Sequence, residues 1–532
     1  MLGQRLKIQQ IIRTTLPIQQ RQQTSAAILD HETATAKPAN WDSARPYNEI
    51  PKASMLKFIC NLMPGGKYSK MGPADIMLDL RNEHGPLFIL PGLGRKDFLV
   101  SHDPHHFEQV LRAEGPWPER PGNHVLHHHR TVLRDDFFKG TVGILSSQAE
   151  QWSKFRSTVN PVLMQPKAVR LYYQKMSSVN KEFMQRIREI RDSSTFEVPD
   201  TFEDEINRWT LESVSVVALD KRLGIMTTNR DNPQAKKLFN YLNQFFELSA
   251  DLEMKPTIWR YIATPKFKKL IKTLDDIQEV TTGYVDEALN RLKDTPSNKP
   301  ENEKSVLEKL LETDKQIAIV MAMDMLMAGV DTTTTTFTGA LLCLAKNPEK
   351  QAKLREEVRR ILPNKDSEFT EASMKNVPYL RACLKESLRL YPLALGNGRV
   401  TKTELVLNGY QVPKETQVMM LSHGLLTDEQ HYPRGNEYLP ERWLRQSKEE
   451  AASGKCPHSL KASSPFIYLP FGFGPRMCIG KRIAEMELEL GIARLIRNFN
   501  VEFNYSTDNA FKSVLINVPN IPLKFKFTDV ED

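Results

Sequence analysis

The chain has 532 residues, 40% hydrophobic and 26% charged, which supplies a large apolar core and excludes an unstructured polymer. Its formal net charge is +8, but Arg5, Lys7, Arg13 and Arg21 all precede the first carboxylate, Asp30. The rest of the chain therefore carries +4, too little for a nucleic-acid footprint.

In chain order, residues 1–30 come first as a basic segment in which Leu2, Leu6, Ile8, Ile11, Ile12 and Leu16 recur near helical spacing. A basic amphipathic stretch without an apolar run reads as a mitochondrial transit peptide. Residues 31–75 are polar and Pro-punctuated, a linker and N-terminal extension, and 76–532 form one large domain. Strand patterns at Pro86–Leu90 and Phe98–Val100 open that domain. Helical periodicity then predicts helices over 168–192, 201–220, 235–252, 268–294, 303–312, 315–346, 347–362 and 378–390. Short strands return within 399–422, at Val501–Tyr505 and at Leu523–Phe527. The fold class is mainly α with minor β, small sheets flanking a helical middle.

No apolar run reaches the ~18 residues of a spanning helix. The longest, Ile317 to Val330, already carries Asp324. Cys60, Cys343, Cys383, Cys456 and Cys478 are odd in number and scattered, so neither a disulfide framework nor a zinc knuckle follows, and reduced thiols fit a matrix or cytosolic compartment. Seven of the twelve histidines fall within 102–129, without cysteine or carboxylate at ligand spacing, and are read as solvated loop residues rather than a metal site.

The most informative stretch is Phe471-Gly-Phe-Gly-Pro-Arg-Met-Cys-Ile-Gly480, with F-x-x-G-x-R-x-C-x-G spacing. Its glycines permit tight turns and close approach to a flat ligand. Cys478 precedes a helical pattern, so the helix dipole and Arg476 are expected to hold its sulfur as thiolate. A lone thiolate with no companion Cys or His suits a metal whose other ligands come from elsewhere, as in haem.

This loop resembles the haem-binding loop of the cytochrome P-450 haem-thiolate monooxygenases. The resemblance extends over about residues 45–530 and implies the P-450 fold, with a long central oxygen-binding helix over haem b and Cys478 as axial iron ligand. It adds Phe471 to the cofactor-binding residues, together with Trp152, Arg156, Arg399 and Arg476 at the haem propionates.

Glu386 and Arg389, within Lys385-Glu-Ser-Leu-Arg-Leu-Tyr-Pro392, would join Arg442 in a buried structural triad. Glu356/Arg359 and Glu357/Arg360 match the same E-x-x-R spacing and read as solvated helix pairs. Tyr438 stands where the family usually has Phe. Ala328-Gly-Val-Asp-Thr-Thr333 is similar to the family's oxygen-binding helix, with Gly329 allowing a local distortion and Asp331 and Thr332 forming the acid–alcohol pair that delivers protons.

By family position the apolar substrate pocket would include Met325, Ala328, Leu393, Leu395 and Ile516. Arg381 and Lys385 share a helix face, and with Lys481 and Arg482 they match the basic surface on which mitochondrial members dock an acidic [2Fe–2S] ferredoxin of the adrenodoxin type. The whole resembles insect mitochondrial members that act on xenobiotics.

The implied activity is monooxygenation of an apolar molecule (a xenobiotic such as an insecticide, or a steroid-like hormone). Electrons would come from NADPH through a ferredoxin reductase and ferredoxin, at the matrix side of the inner membrane, with peripheral membrane association. The competing readings are a haem-thiolate isomerase acting on hydroperoxides and a non-catalytic haem sensor or carrier.

Overall fold

The computed structural model describes residues 37–92, 96–226, 232–254, 257–294, 299–444 and 462–531. The expected transit peptide and Cys456 lie outside the described residues. Residues 37–75 are not a linker. They carry helix α1 (Met55–Leu62) and the start of a helix at Pro73–His84. Bridges also pair Arg45 with Tyr410 and Lys52 with Ile89. The polar composition there is compensated by backbone pairing to strands distant in sequence, which local periodicity cannot register.

The helical body follows the expected order from residue 173 onward and is preceded by helices where loop histidines were expected. Helix α2 (His124–His128) runs directly into a π turn at His129–Leu133. It is followed by α3 (Ala149–Leu163), α4 (Tyr173–Ile190), α5 (Phe202–Ala218), α6 (Pro233–Met254) and α7 (Pro265–Asp294). Then come α8 (Lys315–Lys346), α9 (Pro348–Ile361), α10 (Pro378–Leu390) and α11 (Lys481–Asn498). The expected helix 168–192 is interrupted at Leu171 and Tyr172, where the buried Tyr172 hydroxyl accepts from the amide of Val306 at 2.9 Å. Glu357 is a correction to the solvated-pair reading. It is buried and accepts the first amides of α10, Tyr379 at 3.0 Å and Leu380 at 2.8 Å, satisfying donors that the helix leaves orphaned.

Helix α8 is the axle. The Asp314 side chain caps its start by accepting from the Ile317 amide at 2.9 Å, and Pro348 follows its end. By length and composition α8 could cross a membrane, but 67% of its apolar window is buried inside the protein, so that apolarity builds core. The helix is continuous through Gly329, where a distortion was expected. Gly329 instead allows close approach: a Cβ there would stand 2.8 Å from Val214 Cγ2 of α5. The same contact line continues with the Thr210 and Thr334 hydroxyls 3.1 Å apart and the rings of Trp209 and Phe337 with centroids 4.5 Å apart.

The β structure is peripheral. Strands β1 (Leu87–Leu90), β2 (Phe98–Ser101), β3 (Gly396–Val400) and β6 (Gln417–Leu421) form a sheet in the order β1-β2-β6-β3. Three two-stranded pieces complete it, joining β4 (Leu405–Leu407) with β5 (Tyr410–Val412), β8 (Phe511–Ser513) with β9 (Asn517–Pro519), and β10 (Lys526–Asp529) with β7 (Phe499–Glu502).

Candidate functional site

The glycine-rich loop delivers one sulfur to the mouth of α11. Gly472 and Gly474 have φ of +76° and +68°, turns that L side chains resist. The Cys478 amide donates to the Phe471 carbonyl at 2.8 Å and the Met477 amide to the Gly474 carbonyl at 3.1 Å, closing the loop on itself. Cys478 is exposed, and the amides of Gly480 and Lys481 at the start of α11 hydrogen-bond its sulfur. The surrounding protein pushes the thiol above its ordinary pKa, outweighing those amides and the guanidiniums of Arg156 and Arg120. Two expectations are thereby corrected. The cations that act on the sulfur are Arg156 and Arg120 rather than Arg476, and protein charge alone does not ionise it. A metal ion bound there would supply the missing charge, since a coordinating thiol is deprotonated outright.

Around the sulfur lies a set of cationic donors. Trp152 is buried on α3, with the Arg476 guanidinium 4.1 Å and the Arg156 guanidinium 5.9 Å from its ring centre. Arg476 donates to the Pro118 carbonyl at 3.0 Å and to Gln148 Oε1 at 2.7 Å, and burial among Arg120, Arg399 and Arg156 lowers its pKa to about 9. Arg156 is buried and its Nε has no partner. Arg399 is differently placed. It pairs with buried Glu114 through Nε, and donates to the carbonyls of Gly398 at 2.9 Å and Phe473 at 3.1 Å, so its guanidinium is already partnered within the protein.

Sequence reasoning missed Arg120. Burial and the charges of Arg399 lower its pKa while the Cys478 sulfur favours its charge. The available signal is an arginine in Trp117-Pro-Glu-Arg120 just before α2. Uncompensated guanidiniums beside an accessible thiol fit a planar metal-bearing group with two carboxylates, which is what haem presents.

On α8, Met325, Ala328, Gly329, Asp331 and Thr332 form a half-buried stripe, whereas Thr333 to Thr336 are buried. Thr332 Oγ1 donates to the Ala328 carbonyl at 2.6 Å, leaving its lone pairs available as acceptors. Burial raises the Asp331 carboxyl to about 6, within reach of proton exchange near neutrality.

The triad residues come together. Arg389 meets Glu386 in a bidentate pair at 3.0 and 2.7 Å, and Arg442 Nε reaches Glu386 Oε1 at 2.9 Å. Trp443, unforeseen in this role, donates its indole N–H to Glu386 Oε2 at 2.8 Å. The Tyr438 hydroxyl donates to the Cys383 carbonyl at 3.1 Å, which accommodates the departure from Phe.

The basic residues split. Lys385 and Arg482 are exposed, and Lys481 lies 3.9 Å from Glu485. Arg381 is held by Glu489 at 2.9 and 3.2 Å and donates to the Met374 carbonyl at 2.8 Å. Of the expected pocket residues, Leu393 and Ile516 lie on joined segments, since the Asn517 amide donates to the Leu393 carbonyl at 2.8 Å. Leu395 packs instead against the cluster that includes Phe88, Val100 and Leu421 at the four-stranded sheet. Three of the seven clustered histidines are engaged rather than solvated, while His105 is exposed as expected. His106 bonds Ser101, His127 the Ser146 carbonyl, and His129 Asp275. No group of metal-ligating side chains occurs among the described residues.

Comparison with known proteins agrees with this architecture. Residues 51–527 match the family model described as Cytochrome P450. The chain is 62% identical over 508 residues to cytochrome P450 CYP12A2 of Musca domestica, covering 94% of this chain and 95% of that protein. It is 61% identical over 496 residues to the Drosophila melanogaster protein named "Probable cytochrome P450 12a5, mitochondrial", covering 92% of each. A crystal structure of the cytochrome P450DA heme domain superposes with a TM-score of 0.70 at 19% identity, covering 92% of this chain and 98% of that one, a likeness of fold.

Proposed function

The chain belongs to the cytochrome P450 family, and from that premise we propose that Cys478 ligates the haem iron of a mitochondrial monooxygenase acting on an apolar small molecule. As a member it is a haem-thiolate monooxygenase that takes O2 and a small-molecule substrate. The observation that carries the assignment of Cys478 is the accessible sulfur facing Arg156 and Arg120 at the start of α11. When bound, haem supplies the activation of O2 and the transfer of one oxygen atom, the other leaving as water.

The protein's own contribution is positional. Arg120, Arg156, Arg476 and the Trp152 indole hold the propionate edge, with Phe471 closing the loop behind the sulfur. Asp331 passes protons inward and Thr332 accepts the hydrogen bond of a water beside the oxygen site. Met325 and Ala328 on the same face of α8, with Leu393 and Ile516, form the apolar wall against the substrate, a xenobiotic such as an insecticide or a steroid-like hormone.

Electrons arrive from NADPH through a ferredoxin reductase and an acidic [2Fe–2S] ferredoxin of the adrenodoxin type. Lys385 and Arg482 steer that partner, with Lys481 beside them, because exposed cations give fast and reversible encounter. Residues 1–30 direct import, and the monooxygenase domain, which takes in the segment tied to Tyr410 and Ile89, lies at the matrix side of the inner membrane. Peripheral attachment is supported by apolar residues left exposed on α1 (Met55, Leu56, Ile59, Leu62) and by Ile258, Tyr261 and Ile262 beyond α6. The deciding experiment is the spectrum of the reduced, carbon-monoxide-bound protein. The wild type gives the thiolate-specific Soret band and Cys478→Ala loses it. A band retained in that variant overturns the assignment.

A further inference from the structure

Asp324 lies in the apolar first half of α8 and is 1% exposed; its partner, Arg130 of the π turn, is 0% exposed. Arg130 Nη1 stands 2.8 Å from Asp324 Oδ1 and also donates to the Val142 carbonyl at 2.8 Å. Asp324 Oδ2 accepts the amides of Ile144 at 2.7 Å and Leu145 at 3.3 Å. Gly143 threads between the two charges with φ +83°, and a Cβ there would lie 2.5 Å from both Arg130 Nη1 and Asp324 Oδ2. One carboxylate thus joins three pieces of chain: the π turn, the loop leading into α3 with Trp152 and Arg156, and α8. Asp324 precedes Asp331 by seven residues, which is two helical turns, about 10 Å along the same face.

The segment containing Arg130 is fastened to α6, to α7 and to Trp259 between them as well. The Val125 amide donates to Glu253 of α6 at 2.9 Å. The His128 ring packs against Trp259 and Phe267, with centroids 5.7 and 6.1 Å away. Asp275 of α7 is 2.9 Å from His129 Nε2 and receives Arg134 in a bidentate pair at 2.9 and 2.6 Å. The wider winding of the π turn lets consecutive residues, His128, His129 and Arg130, reach three different neighbours.

Stability does not account for this pair. Burial pushes the Asp324 carboxyl up despite Arg130 and two amides, and Arg130 Nε and Nη2 lack partners. Replacing a buried ion pair by apolar side chains is often neutral or stabilising. What charge adds is register, because Asp324 gains both its cation and its two amides only when all three pieces of chain meet.

We propose that Arg130 and Asp324 are positioning residues, a latch coupling closure of segment 124–134 to the register of α8 at Asp331 and Thr332. Its consequence for turnover rests on the monooxygenase reading above, whereas the coupling belongs to the fold.

Hydrogen–deuterium exchange on the full chain tests it, comparing wild type with the Arg130→Met/Asp324→Leu double variant and with Asp324→Asn, which keeps the shape should the double variant not fold. The expected result is a thermal midpoint near or above wild type, with exchange in 142–147 and 325–333 rising together by roughly tenfold. Product formed per NADPH falls in parallel. Wild-type exchange at 325–333 with a loosened 142–147 would make the contact local and overturn the coupling. A uniform rise that includes α11, with a lower midpoint, would make the pair merely structural. Failure of the monooxygenase reading would appear instead as absence of the thiolate band in the wild type, leaving the exchange result intact.

Discussion

Glu114 pairs with Arg399 inside the protein, so two neighbouring arginines, Arg399 and Arg120, are not equivalent. Arg399→Ala leaves the Glu114 carboxyl, already pushed up by burial, without its buried cation, and is expected to cost about 3–5 kcal/mol of stability. Arg120→Ala removes a cation with no such debt behind it, and should lower haem retention while the apoprotein melts near the wild-type temperature. Thermal melts of apoprotein alongside haem content per chain separate the two. Equal destabilisation by both variants would mean that Arg120 also carries the fold.

The five consecutive threonines should divide by burial. Thr332→Ala is expected to uncouple NADPH use from product and to release peroxide, because its hydroxyl is half-buried beside Asp331 whereas those of Thr333 to Thr336 are buried. Thr334→Val deletes the contact to Thr210 and should cost about 1 kcal/mol of stability with coupling unchanged. Peroxide yield and chemical denaturation, measured on both variants, decide the register. Uncoupling in Thr334→Val instead would shift it by two residues.

Asp331 is held at a cost. Its carboxyl rises from 3.8 to about 6 through burial, so between those values the folded state binds more protons than the unfolded one. Stability therefore falls as pH rises through that window, and the full penalty persists above it. Asp331→Asn is expected to gain about 1–3 kcal/mol at pH 7 and nothing below pH 4, while losing turnover. Melting curves across pH 4–8 read the sign directly, and a variant less stable at neutrality would contradict it.

The docking surface should likewise resolve into free and committed charges. Lys385→Glu with Arg482→Glu is expected to weaken ferredoxin-dependent turnover and flatten its dependence on ionic strength, with peroxide-supported turnover intact. Arg381→Glu places two carboxylates together, against Glu489, and should destabilise the protein whatever the electron source. Turnover with the two electron sources, compared for each variant, distinguishes steering from folding.

The helices were readable because their amphipathic period is local, and the loop around Cys478 because its spacing is itself the chemistry. The partners of charged groups were not. Arg399 finds Glu114 across 285 positions, and Arg130 finds Asp324 only after α8 has packed under the π turn. Arg381 looked like a free docking charge because its heptad neighbours gave no hint of Glu489 on α11. The β8–β9 hairpin and α1 escaped notice for a related reason. Both are short, and what fixes the first is a hydrogen bond to Leu393, while the second lies on a segment tied down by Tyr410 and Ile89.

Gly474 turns with positive φ, and a Cβ placed on it would fall 1.9 Å from Glu114 Oε1. Position 474 is therefore closed to substitution by an acid 360 positions earlier as much as by its own backbone. In a randomised library, alleles other than glycine at 474 should survive only in clones that have also shortened residue 114, and those clones would in turn be under pressure to discharge Arg399. Three sites would then drift as one, an epistatic knot.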